Sequence, residues 1–216
     1  MSIDGKKRID LISYMKSLFV LLLSLCSLSI HLSARNTLGE YYLGMGGSYY
    51  DTGKYADQQA WLLRLNATAP NDSTSDVNVY IDYGHGKGVG ETGTSWNIGA
   101  DILVHNENLF GAGSMLHPYF GVGISYLDEE LPLRLREDGF TWNIFTGAKI
   151  TIQPTISAHV GGQFWGLWSE LGENDFTLDT GLSWWIDYQN GVSLDYQYSL
   201  EHEVSYLTLK YLYSWQ

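Results

Sequence analysis

Asp76-Val77-Asn78-Val79-Tyr80-Ile81-Asp82-Tyr83 puts Val77, Val79, Ile81 and Tyr83 on one side of an extended chain. Asp76, Asn78, Tyr80 and Asp82 fall on the other. Successive strand side chains point to opposite faces, so this spacing predicts a strand with one greasy and one wet face. The next stretch repeats it: Trp96, Ile98, Ala100, Ile102 and Val104 oppose Ser95, Asn97, Gly99 and Asp101.

Working outward in both directions, about ten such segments fit, near residues 40–50, 59–68, 76–84, 94–104, 118–127, 139–151, 155–166, 176–187, 192–200 and 204–215. Each approaches the roughly 9–11 residues that a tilted strand needs to cross a bilayer. Tight connections are predicted at Gln153-Pro154 and Gln189-Asn190-Gly191, where Asn-Gly is a strong hairpin signal. Asp128 to Asp138 and Ser169 to Asp175 are longer and charged. One connection, His105 to Leu116, is too long for the short-turn side and leaves eight strands as the fallback count.

Which face is wet decides the class. A water-soluble barrel would carry Lys and Glu outside. Here the non-apolar face is Gly, Ser, Asn, Thr, Asp and Gln, the composition of a crowded interior. Charged residues are only 17% of the chain, and the 16 Tyr and 8 Trp suit two lipid–water interfaces. One aromatic girdle is expected from Tyr49, Trp61, Tyr83, Trp96, Tyr126, Trp142 and Phe176, and a second from Phe120, Trp184, Tyr213 and Trp215. The fold class that follows is all-β: an antiparallel up-and-down transmembrane β-barrel with its apolar face toward lipid.

The N-terminus carries Lys6, Lys7, Arg8 and Lys16, then an apolar run from Leu18 to Leu28. That run is too short to span a bilayer and reads as a secretory signal over residues 1–34, cleaved after Ala34, with Met15 as an alternative start. Residues 35–216 are the barrel domain. Cys26 is the only cysteine; it is either lost with the signal or, in a rival reading, the lipidated residue of Leu23-Ser24-Leu25-Cys26. The first reading leaves no thiol for a disulfide, a thiolate nucleophile or a sulfur-bound metal. The net charge of −12 lacks the basic face that nucleic-acid binding requires.

His117-Pro118-Tyr119-Phe120-Gly121-Val122-Gly123-Ile124-Ser125-Tyr126 resembles the PY-x-G-x-G-x-x-Y strand of small bacterial outer-membrane barrels, the OmpA/OmpX/OmpW-like and porin-family barrels. The alternation extends the resemblance along the whole barrel domain, and the aromatic last segment shares it. It implies residence in the outer membrane of a Gram-negative bacterium and contact with its lipids.

Inside the expected barrel, Arg64, Lys149 and Lys210 accompany Asp82, Asp101, Asp179 and Asp195. Unpaired charge away from water is costly, so these seven are expected to pair across a polar, plugged lumen. The alternative is a narrow, porin-like channel, whose acidic excess would favour small cations. His85, His105, His117, His159 and His202 lack any metal-ligand spacing. A rim hydrolase could be cast from Asp51, Asp82, His85 and His202, and a lipid-modifying site from His202 and Ser205, but ordinary loop chemistry accounts for both sets. Leu131, Leu133 and Leu135 alternate with Pro132, Arg134 and Arg136, either as a sticky hairpin edge or as an amphipathic loop. The balance favours a monomeric, non-enzymatic barrel without cofactor or metal. Its structural or surface-interaction role would be exerted on an extracellular ligand or partner through connections near 51–58, 85–93, 128–138, 169–175 and 200–204.

Overall fold

A computed structural model describes residues 37–51, 59–87, 92–106, 109–110, 114–129, 137–170, 174–201 and 203–215. The signal segment, His202 and the Leu131–Arg136 stretch lie outside them.

Ten strands form: β1 (Tyr42–Asp51), β2 (Gln59–Pro70), β3 (Ser75–Lys87), β4 (Thr92–His105), β5 (Leu116–Glu129), β6 (Glu137–Gln153), β7 (Ile156–Leu167), β8 (Asn174–Trp185), β9 (Asn190–Ser199) and β10 (Val204–Ser214). Each pairs antiparallel with its sequence neighbours, and β1 pairs with β10, closing the barrel. Closure leaves no row of unpaired backbone groups, the condition for a sheet to enter hydrocarbon. The count is ten, not eight. The long connection after His105 joins β4 to β5 without costing a strand, and His105 itself caps the β2–β3 turn by donating its backbone N–H to Thr74 O at 2.8 Å.

The connections sort to two ends. At the turn end, β2–β3 turns through 71–74, β6–β7 through 154–155 and β8–β9 through 186–189. Asp72 tightens the first by accepting from Thr74 N at 2.7 Å and Thr74 Oγ1 at 2.9 Å. Asp187 does the same for the third, accepting from Asn190 N at 2.7 Å and Gln189 N at 2.8 Å. The longer β4–β5 connection, 106–115, lies at this same end, and the other five connections, 52–58, 88–91, 130–136, 168–173 and 200–203, leave from the opposite, loop end.

Alternate residues face outward as the pattern predicts. Trp61 and Phe140 are each 65% exposed, while the inward Asp82 is 4% exposed. Near the loop end, Tyr49–Trp61, Tyr83–Trp96, Tyr126–Phe140 and Trp142–Phe164 meet with ring centroids 5.3, 4.5, 5.3 and 5.4 Å apart. Tyr41 and Trp215 pair at 5.8 Å at the opposite rim. Polar groups on the greasy face are silenced by backbone: Thr146 Oγ1 donates to Tyr119 O and Thr180 Oγ1 to His159 O, both at 3.0 Å. A hydroxyl without such a partner would cost several kcal/mol in hydrocarbon. The outer surface is thus built for lipid.

Candidate functional site: the lumen

Strand alternation turns Arg64, Asp82, Asp101, Lys149, Asp179, Asp195 and Lys210 into the barrel, and most of them line a cavity of about 400 Å³. The structure brings them together unevenly. Arg64 grips Asp82 on the neighbouring strand side-on through one guanidinium edge, Nε donating to Oδ1 at 2.7 Å and Nη2 to Oδ2 at 2.8 Å. Lys210 Nζ lies 2.6 Å from Asp195 Oδ2. Asp179 meets His159 Nε2 at 3.0 Å rather than a lysine. Asp101 is held by amides, accepting from Asn143 Nδ2 at 3.1 Å and Asn78 Nδ2 at 3.3 Å. Lys149 has no carboxylate within ion-pair distance among the described residues, although Asp76, Asp179 and Asp195 lie within its electrostatic reach.

Glycines make room for these crossings. Gly46, between Arg64 on β2 and Lys210 on β10, lets the lysine stem lie flat across β1; a Cβ there would strike Leu209 O at 2.6 Å. Gly123 sits under Asp101 and Asn143 in the same way, which is why these two side chains can meet across the intervening β5.

Above the charged waist, toward the loop end, one wall of the interior, on β1, β2 and β10, is apolar, while Ser95, Ser125, Glu129 and Thr141 line the interior on β4, β5 and β6. Tyr50, Ala60 and Val204 are buried and pack with Leu62 and Tyr206, the two tyrosine rings meeting edge-on at 4.8 Å. This apolar patch is an addition to the polar, plugged lumen expected from the sequence. Tyr50 follows Tyr49, and alternation puts one of two adjacent tyrosines inside; only closure of the barrel brings it against β10. Below the waist, Asp76 and His105 are both buried, with Nε2 3.5 Å from Oδ1. His117 Nε2 lies 3.2 Å from Thr151 Oγ1.

Of the rim-hydrolase set, the two members whose side chains are among the described residues, Asp82 and His85, are kept apart. Asp82 is committed to Arg64 inside, whereas His85 is exposed on the outer face of the same strand. His202 and the side chain of Asp51 fall outside the described residues.

No family model and no curated protein matches the chain. Solved structures do. The beta domain of the Bordetella autotransporter BrkA is 7% identical, with a TM-score of 0.51 over 82% of this chain and 99% of that one. The NanC porin is 8% identical, with a TM-score of 0.47 over 81% and 99%. Neisserial surface protein A is 12% identical, with a TM-score of 0.41 over 81% and 97%. At such identities the likeness is one of fold. The chain shares the closed antiparallel β-barrel fold of the BrkA beta domain.

Proposed function

We propose that this barrel works as a monomeric, non-enzymatic outer-membrane protein whose charged waist obstructs the lumen and whose function is exerted at the loop end. The observation that carries this reading is the pairing at the waist. Arg64–Asp82 and Lys210–Asp195 are short, charge-assisted contacts that project from β2, β3, β9 and β10 into an already narrow barrel. The apolar patch of Tyr50, Leu62, Val204 and Tyr206 narrows the lumen further on the β1, β2 and β10 wall.

Five connections leave from the loop end; opposite them lie the tight β2–β3, β6–β7 and β8–β9 turns, with the longer β4–β5 connection as the one departure from the asymmetry of barrels whose longer loops face the outside of the cell. Those connections are the surface offered to an extracellular ligand or partner, while outer-membrane lipids cover the barrel wall. The closed sheet presents no edge for strand addition, which favours a monomer.

A second reading, a narrow path for small cations or solutes, is favoured by the cavity and by the inward excess of Asp76, Asp82, Asp101, Asp179 and Asp195 over Arg64, Lys149 and Lys210. Planar-bilayer recording separates the two. A silent wild-type barrel supports the obstructed lumen; steady, cation-selective single-channel steps sink it in favour of the path.

A further inference from the structure

The segment that enters β1 is not at the surface. Thr37 and Leu38 precede the strand, belong to no sheet, and are nevertheless only 6% and 4% exposed; both line the lumen cavity. A leader lying across a barrel mouth in solvent would leave an apolar Leu exposed. This one is inserted.

What holds it is a buried carboxylate on β3. Gly39 N donates to Asp76 Oδ2 at 3.0 Å and Oδ1 at 3.2 Å. Asp76 is 3% exposed, and the equally buried His105 ring at the end of β4 approaches its Oδ1 at 3.5 Å. A carboxylate taken out of water costs several kcal/mol unless donors surround it, so a backbone amide fixed against both oxygens is a strong anchor. Gly39 has φ +68°, a left-handed conformation that turns the chain out of the lumen and into β1, and one that a side chain disfavours. The nearest atom to a Cβ added there, His105 Cε1, is 3.9 Å away, so backbone conformation rather than crowding selects glycine.

We infer that Thr37–Gly39 is a latch that closes the turn-end mouth of the lumen, with Asp76 as its catch. Docked, Leu38 fills the mouth on the side where Asp76 and Leu103 line the cavity. Released, it leaves a polar vestibule of Thr68, Asp76 and Asn78 open to small polar solutes from the turn end. The latch is a device of the mouth and stands whether or not the waist above it conducts.

Thiol accessibility tests it in the full chain, folded in detergent and verified by heat-shifted gel migration. In a Cys26→Ser background, Leu38→Cys and, as a second reporter, Thr37→Cys react with a water-soluble maleimide. Ser73→Cys, in the exposed β2–β3 turn, is the reference. Both reporters should label at least about tenfold more slowly than the reference, because reaction requires local opening. Asp76→Ala should bring them close to the reference rate, and Asp76→Asn, which keeps an acceptor oxygen, should fall between. Gly39→Ala, which strains the turn but leaves the catch intact, should also accelerate them, and it decides the matter if Asp76→Ala does not fold. Reporters that react as fast as Ser73→Cys in the intact protein overturn the latch. So do unchanged rates in both the Asp76 and Gly39 variants. Bilayer recording of Asp76→Ala is then a separate question: silence there leaves the latch in place and assigns the obstruction to the waist.

Discussion

Arg64 and Asp82 show what a single pair does in this interior. The guanidinium fork matches the carboxylate at 2.7 and 2.8 Å, and neither group is more than about one-third exposed. Arg64→Ala strands a buried Asp82 and should cost about 3 kcal/mol, with Arg64→Ala/Asp82→Ala together costing less than the single change. Urea titration of the barrel folded in lipid vesicles reads both, together with Asp82→Ala; a double-variant cost equal to the sum of the two single costs would show that the pair is not coupled. Gly123→Val tests the crossing of β5, because its side chain would displace Asp101 from Asn143. A lowered unfolding midpoint is expected, and an unchanged midpoint would mean that the crossing is not needed. Asp72, in a turn outside the membrane span, has its carboxyl held below the ordinary range first by the Thr74 backbone N–H and then by the Thr74 hydroxyl. A depressed carboxyl contributes stability that is present above its unfolded pKa of roughly 4 and is lost as the pH falls through the folded value. The acid limb of the unfolding profile should therefore flatten in Asp72→Ala, and an identical limb would remove Asp72 from that role.

At the scale of elements, the β5–β6 stem carries a local conflict. Asp128 and Asp138 are directly opposed and both exposed, above the Tyr126–Phe140 pair that belongs to the aromatic girdle. Like charges across an antiparallel pair repel, so Asp138→Lys should stabilise the hairpin by about 0.5 kcal/mol. A shift in the urea midpoint toward greater stability is the expected outcome; a loss would show that the stem needs both carboxylates. The strands themselves could be read from the primary structure because alternation is a local property. The segment near 118–127 is β5 with its ends extended, and the segment near 139–151 is β6, which runs on to Gln153 through an irregularity in register. The His105–Leu116 connection left eight strands as a fallback beside the ten that form, because loop length is only a tendency of the class, while strand pairing is decided by which backbones meet.

For the whole molecule, the decisive property is which way the two faces point. Leu209 is 61% exposed on the wall of β10, and its neighbour Thr208 is 2% exposed inside, its hydroxyl 2.7 Å from that of Ser48 on the adjacent β1. Leu209→Arg should destabilise the barrel in bilayers by about 2–4 kcal/mol if the residue lies near the midplane. Its insertion into vesicles, followed by gel migration before and after heating, checks this. Undiminished insertion would mean that the greasy wall does not face lipid.

The primary structure determined the strands, their faces and the lipid-facing class, because a two-residue period in side-chain chemistry is enough to orient a strand. It also placed Arg64, Asp82, Asp101, Lys149, Asp179, Asp195 and Lys210 on the inward face. Only the tertiary structure decided their partners: His159 rather than a lysine for Asp179, amides for Asp101, and no near carboxylate for Lys149 among the described residues. It alone revealed the Tyr50–Tyr206 patch and the burial of Thr37–Leu38, with Gly39 held by Asp76. Contacts of this kind form between residues far apart in the chain, and they depend on the register and curvature with which ten strands close on themselves.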